Sequence, residues 1–279
     1  MINMIKADLY RIFKGKALYI CVLVILLLAT ISCYEMSPGR IGVQTGYTTE
    51  SSMQDQETID KINDTNSLQE TREIMKETGS FPVDQSQMGA NANLYYFFIV
   101  VVVIVLVTDL SNSTVKNTLS SAISRKKYYF AKLCTCLLLC TGLILINNYG
   151  SYLINLMMNG SNFSSGILEI TKLTVLQLPM MYGIISLLVC IGFLFRKTAT
   201  FNGITLPFIM VVQMIIMGIS TLFELNVDKI LSYEFQYVLM NLVSNPTTTY
   251  LIQTLILAFS YIVIFNLIGY YAFKKAEIK

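Results

Sequence analysis

The 279-residue sequence contains no histidine. This absence excludes a Ser-His-Asp triad, His metal ligands and the HExxH motif of metalloproteases. The sequence also contains neither a GxxxxGK[ST] phosphate-binding loop nor a GxSxG nucleophile motif. We therefore expect no catalytic residues, no metal site and no ATP or other cofactor bound by this chain.

Charged residues are scarce as well. They make up 13% of the chain against 54% hydrophobic residues, and the mean hydropathy is +0.59, whereas about a quarter of a soluble domain is charged. This composition is typical of an integral membrane protein.

The six cysteines lie mostly in apolar runs, where cysteine packs as a small apolar residue. They indicate no disulfide framework.

Six uncharged runs are long enough to cross a bilayer, which takes about 20 residues as a helix. The runs lie near residues 17–34, 88–108, 133–158, 173–195, 198–223 and 250–273. The second is rich in β-branched residues, but a lone strand leaves its backbone groups unpaired in lipid, so we predict a helix there too. The predicted fold is an all-α integral membrane protein with a transmembrane domain over residues 17–279.

The distribution of Lys and Arg predicts the topology. Fourteen lie in segment 1–16, loop 109–132, the link at 196–197 and the tail, and six lie in the alternate connections. Basic residues near span ends stay in the cytoplasm. We therefore predict that both termini and loop 109–130 are cytoplasmic.

The predicted outer side is dominated by loop 36–87, which carries nine carboxylates against four basic residues. Two interpretations remain open: a small helical subdomain, or a solvated acidic loop. A second outer connection, residues 224–245, has helical apolar spacing and predicts a helix at the outer interface.

Segment 1–16 is amphipathic. Ile5, Leu9, Ile12 and Phe13 share one helical face, and Arg11 lies largely off it. This pattern predicts an interfacial helix on the cytoplasmic surface. The alternative is a straight continuation of the first span.

The span interiors hold essentially no charge, which argues against a carrier driven by protons or sodium. Uncharged polar and methionine residues on the fifth span are candidates for a cargo path, although helix packing also explains them. These candidates are Asn202, Met210, Gln213, Met214 and Met217.

The connection between the second and third spans carries the most specific pattern. It has the form Lys-Asn-x-Leu-Ser-x-x-x-Ser-Arg-x-x-Tyr, with Ala122 where many relatives have Gly. Together with six spans, a basic amphipathic start and the ending Phe273–Lys279, this loop resembles the permease subunits of ABC-2 type transporters. The likeness is to small bacterial permeases that export antimicrobial or bacitracin-like peptides.

The resemblance implies a permease in the bacterial cytoplasmic membrane that pairs with a second copy or a homologue. Two copies of a separate ATPase would hold ATP and magnesium, and no nucleic acid would be bound. Segment 1–16 and a coupling helix in loop 109–130 would meet the ATPase, and amphipathic peptides would be the cargo. The coupling residues would be Lys116, Asn117, Leu119, Ile123, Ser124, Arg125 and Tyr128. An ion-coupled secondary carrier or a structural membrane subunit is the alternative.

Overall fold

Six helices of the computed structural model are long and apolar enough to cross a membrane. The structure describes residues 1–35, 82–112, 114–115, 123–223, 230–244 and 247–275, with the side chains of Asn162 and Thr221 excepted. The described part is helical and contains no strand, so the prediction of an all-α membrane protein with six spans is confirmed. Loop residues Lys116, Asn117 and Leu119 and most of the acidic loop lie outside the described residues.

We number the main helices in chain order. They are α1 (Ile2–Lys14), α2 (Ala17–Glu35), α3 (Val83–Ser111), α4 (Arg125–Asn159), α5 (Ile167–Phe195), α6 (Thr198–Leu222), α7 (Phe235–Val243) and α8 (Thr248–Lys275). Helices α2, α3, α4, α5, α6 and α8 are the six apolar helices. Several extend past the predicted spans, because polar and basic residues at their ends continue the helical hydrogen bonding.

The core lies where α3, α4 and α5 meet. Val102 of α3, Cys136 of α4 and Leu188 of α5 are fully buried, whereas only a minority of the side chains of α2, α6 and α8 are buried. At Gly192, an added Cβ would lie 3.0 Å from the side chain of Leu106. Glycine therefore allows α5 to approach α3 closely, as small residues do between membrane helices.

Helix α3 begins at Val83, which corrects the predicted end of the acidic loop at residue 87. Asp84 is buried rather than solvated. Its carboxylate accepts hydrogen bonds from the hydroxyls of Ser164 and Ser165, at 2.8 and 2.9 Å, and from the backbone N–H of Ser165. These donors stabilise the carboxylate of Asp84, so this residue is part of the packed helix bundle.

A network of uncharged amides joins α3, α4 and α5 in this half of the bundle. The Asn91 amide nitrogen donates to Gln177 Oε1 at 2.7 Å and to Asn148 Oδ1 at 3.0 Å. Asn147 donates to Asn91 Oδ1 at 2.9 Å, and Asn148 donates to Thr174 Oγ1 at 3.0 Å. These paired amides hold the helices together. Helix packing therefore explains these polar residues within the spans.

The short helix α7 also packs into this half. Its side chains Val238, Leu239 and Leu242 are buried, as their helical spacing predicts. Gln177 Nε2 donates to the carbonyl of Leu239 at 3.2 Å, and Gln85 Nε2 donates to the carbonyl of Val243 at 2.8 Å. Because carbonyls of a short helix in lipid need partners, the two glutamines secure α7 against the bundle.

We expect Gln177→Leu to destabilise the protein by about 2 kcal/mol. The variant loses three hydrogen bonds, and each such bond between membrane helices contributes about 0.6 kcal/mol on average. Thermal unfolding in detergent measures the loss. Gln253→Leu, on an exposed position of α8, is the matched control. Equal unfolding midpoints for the two variants would contradict a structural role for the network.

Candidate functional site

Three parts of the chain meet at one end of the bundle: α1, the connection between α3 and α4, and the end of α8. Arg11 of α1 bonds to Asp109 at the end of α3. Arg125, at the start of α4, donates to the carbonyl of Lys274 at 2.6 Å. The two ends of the α3–α4 connection are therefore tied to the first and last helices.

Helix α1 is separate from α2, so the interpretation as a straight continuation of the first span is wrong. Gly15 and Lys16 separate the two helices. Gly15 is extended, and its N–H donates to the carbonyls of Arg11 and Ile12, which ends α1. The chain then turns directly into the first span.

The packed face of α1 differs from the predicted apolar face. Ile12 is buried, and Ile5 and Leu9 are half-buried, but Phe13 is half exposed. Asp8 is buried in place of an apolar residue. A charged interaction therefore fixes α1 to the bundle.

Four side chains from three helices form this interaction, which we call the charge cluster: Asp8 and Arg11 of α1, Asp109 of α3 and Lys132 of α4. Lys132 Nζ lies 2.8 Å from Asp8 Oδ2 and 2.6 Å from Asp109 Oδ2. Arg11 Nη1 lies 2.6 Å from Asp109 Oδ1. Two positive and two negative charges thus balance.

Lys132 is only 2% exposed. A buried cation without a partner is costly, and two carboxylates in hydrogen-bonding contact offset that cost. The Tyr128 ring also lies 5.5 Å from Lys132 Nζ, within range of a cation–π contact. The hydrogen bond to Asp109 raises the pKa of Arg11, so the guanidinium keeps its proton.

Helix α3 contains a π-helical turn, Val103–Val107, just before Asp109. Carbonyls in such a turn lose regular α-helical partners. Here Thr108 Oγ1 donates to the carbonyl of Val103 at 2.8 Å, and Arg11 Nη2 donates to the carbonyl of Ile104 at 3.4 Å. Arg11 therefore contacts both the irregular turn and the carboxylate that follows it.

The structure describes four of the predicted coupling residues, and they lie at the end of the connection that leads into α4. Ser124 caps α4 by accepting from the N–H of Lys127 at 3.4 Å, and Ile123 is half-buried against the core. Arg125 donates to the carbonyls of Phe273 and Lys274. Tyr128 is 1% exposed, with its ring 5.6 Å from that of Phe273. Tyr128 therefore packs inside the chain.

Aromatic packing extends this contact to α5. The ring centroids of Tyr129 and Phe193 lie 4.7 Å apart, and those of Phe193 and Phe273 lie 4.8 Å apart. Aromatic pairs at this separation stabilise beyond their buried area. The start of α4 is thus packed against the ends of α5 and α8.

Sequence reasoning missed Asp8 and Lys132. The prediction assigns Lys132 to the loop because it precedes the third apolar run, and it gives Asp8 no role within the interfacial helix. One signal was present: Asp8 is the only acidic residue in segment 1–16. An isolated acid among basic residues beside a membrane span is a candidate for a specific ion pair.

The candidate cargo residues on α6 are not gathered into one site. Met210, Met214 and Met217 are 64%, 73% and 56% exposed and lie on the outer surface of the bundle. Asn202 is half-buried. Gln213 Nε2 donates to Gln236 Oε1 at 2.8 Å, so this predicted polar handle is engaged with α7.

A comparison with known protein families decides the class. Residues 65–211, just over half of the chain, match the model of a family described as ABC-2 family transporter protein. The chain belongs to the ABC-2 family of transporter proteins. No curated protein matches the chain at significant similarity.

Membership makes this chain a multi-pass permease, a transport subunit rather than an enzyme. The match includes Asp109 and Lys132 together with the whole α3–α4 connection. Asp8 and Arg11 lie outside the matched range. The charge cluster therefore joins the matched part of this ABC-2 permease to its own first helix.

We expect Lys132→Met to destabilise the permease by about 3–5 kcal/mol, because it leaves the two buried carboxylates of Asp8 and Asp109 with Arg11 as the remaining cation of the charge cluster. The double variant Asp8→Asn with Lys132→Met removes one charge of each sign and should be more stable than Lys132→Met alone. Thermal unfolding in detergent measures both. Lys127→Met, at an exposed position, is the control. A double variant less stable than Lys132→Met would argue against direct pairing.

Proposed function

We propose that this chain is the membrane-spanning subunit of an ATP-driven exporter and that a separate ATPase docks on the α3–α4 connection. The observation that carries the proposal is the anchoring of this connection at both ends. Asp109 precedes it and bonds to Arg11 and Lys132. Arg125 follows it and bonds to the last turn of α8. A displacement of the loop would therefore reach α1, α3, α4 and α8 at once.

The proposal gives the loop and its neighbours different tasks. Leu119 supplies an apolar anchor for the ATPase, and Lys116 contributes a charged contact at the rim, as interfaces concentrate binding energy in a few anchors. Arg125 and Tyr128 transmit the movement inside the permease, because their side chains are occupied by α8. ATP and magnesium are held by the ATPase.

The orientation follows from charge. Helix α1, the α3–α4 connection and the last turn of α8 share one end of the bundle, and this end carries most of the Lys and Arg residues. We assign it to the cytoplasm on the positive-inside rule, in a bacterial cytoplasmic membrane.

The proposed cargo is an amphipathic or hydrophobic peptide that passes between two permeases, either identical or homologous. The exposed methionines of α6 support this choice, because flexible and polarisable side chains adapt to variable apolar ligands. The uncharged interior of the spans supports apolar cargo over a hydrated ion. An ion-coupled carrier remains the alternative and would transport without an ATPase.

We expect Leu119→Asp to abolish co-purification with the proposed ATPase partner while the permease still inserts. A carboxylate at the apolar anchor would be desolvated in the interface. Pull-down followed by mass spectrometry measures the loss. Leu168→Asp, at an exposed position at the opposite end of the bundle, is the control. Undiminished capture by Leu119→Asp would remove this loop from the docking site.

We expect the triple variant Met210→Leu, Met214→Leu and Met217→Leu to change which peptides stimulate ATP turnover. Leucine conserves volume, so stability should change by less than about 1.5 kcal/mol per site, but it lacks the flexibility of methionine. A panel of cationic amphipathic peptides on the reconstituted transporter measures the preference. Met157→Leu, at an exposed position near the end of α4, is the control. An unchanged preference would leave ordinary packing as the explanation.

A further inference from the structure

The outward face of α1 is not used by the charge cluster. Tyr10 is 69% exposed, and Lys6 and Lys14 are exposed beside it. Lys14 Nζ lies 5.9 Å from the centroid of the Tyr10 ring. Ile2 and Phe13, on the adjoining edge of the helix, are also exposed. This face combines amines, a phenol and apolar side chains.

The end of α1 lies close to the start of the first span. Only Gly15 and Lys16 separate it from the membrane-spanning helix α2, and two extended residues span at most about 7 Å. The charge cluster holds α1 against the ends of α3 and α4, so its lysines stay close to the bilayer.

The exposed charge at this end is entirely basic among the residues that the structure describes. Asp8 and Asp109 are buried in the charge cluster. The exposed cations include Lys6, Lys14, Lys16, Lys126, Lys127, Lys197, Lys274 and Lys275. By sequestering both acids, the cluster leaves a surface with a positive potential.

We infer that the outward face of α1 binds the headgroups of anionic phospholipids. Lys6 and Lys14 contact lipid phosphates, Tyr10 lies in the headgroup layer, and Ile2 and Phe13 enter the acyl boundary. Lysine stems that lie along apolar surface, and tyrosine rings at the interface, are suited to this depth.

A second pair at the same end has the same chemistry. Lys275 Nζ lies 4.6 Å from the ring centroid of Tyr271 on α8, and Tyr271 is half exposed. The arrangement of an exposed tyrosine four residues before an exposed lysine thus occurs on both the first and the last helix. The inference concerns a contact between the permease and lipid, and the ATPase is proposed to dock elsewhere, on the α3–α4 connection.

The chain contains no tryptophan, so Tyr10→Trp introduces a single tryptophan at the proposed contact, and its indole can be excited selectively over the tyrosines. We reconstitute this variant in bilayers that contain brominated phosphatidylglycerol or brominated phosphatidylcholine at equal mole fraction. Attraction of a lysine to an anionic surface predicts enrichment on the order of five-fold for each lysine. The introduced indole should therefore be quenched more strongly by the anionic lipid, and a high salt concentration should remove the difference.

Three further variants test the origin of the preference. Lys6→Gln with Lys14→Gln should abolish it in the Tyr10→Trp background, whereas Lys6→Arg with Lys14→Arg should retain it. Met157→Trp, near the opposite end of α4, should show none. Equal quenching by both lipids, or a preference that survives Lys6→Gln with Lys14→Gln, would overturn the inference. So would protection of the introduced indole from both lipids on addition of the ATPase, which would assign this face to the protein partner.

Discussion

The buried amine of Lys132 is the constraint on which this end of the permease depends. Its two carboxylate partners come from different elements, Asp8 of α1 and Asp109 of α3. Because an uncompensated charge at this depth would cost several kcal/mol, the bundle is complete only with α1 in place. The first helix is therefore part of the folded core at this end, although it precedes the first span in the chain.

The charge cluster also shortens the path from the α3–α4 connection to the rest of the molecule. Asp109 lies at the start of the connection and touches both Arg11 and Lys132. At its other end, Arg125 and Tyr128 engage α8, and the next residue, Tyr129, packs on α5. A displacement of the connection therefore reaches these helices through direct side-chain contacts, without a long chain of intermediate residues.

Composition predicted the fold because bilayer thickness and backbone hydrogen bonding leave few alternatives to six helices. The same reasoning was wrong for Asp84 and Lys132, because it assumes that a charged residue outside an apolar run is exposed to water. The burial of both depends on partners remote in sequence: Ser164 for Asp84, and Asp8 for Lys132. Likewise, the loop motif singles out Arg125 and Tyr128 but carries no information on which way their side chains face.

The two ends of the bundle are held by different chemistry, and this difference bears on movement. Neutral amides join α3, α4, α5 and α7 at one end, whereas paired charges join α1, α3 and α4 at the other. Helix α6 is attached more lightly, through contacts that include the Tyr95 hydroxyl bond to the carbonyl of Thr205 at 2.7 Å, and it exposes most of its outer half. A displacement of α6 would therefore break fewer of the buried polar contacts than a displacement of α3, α4 or α5.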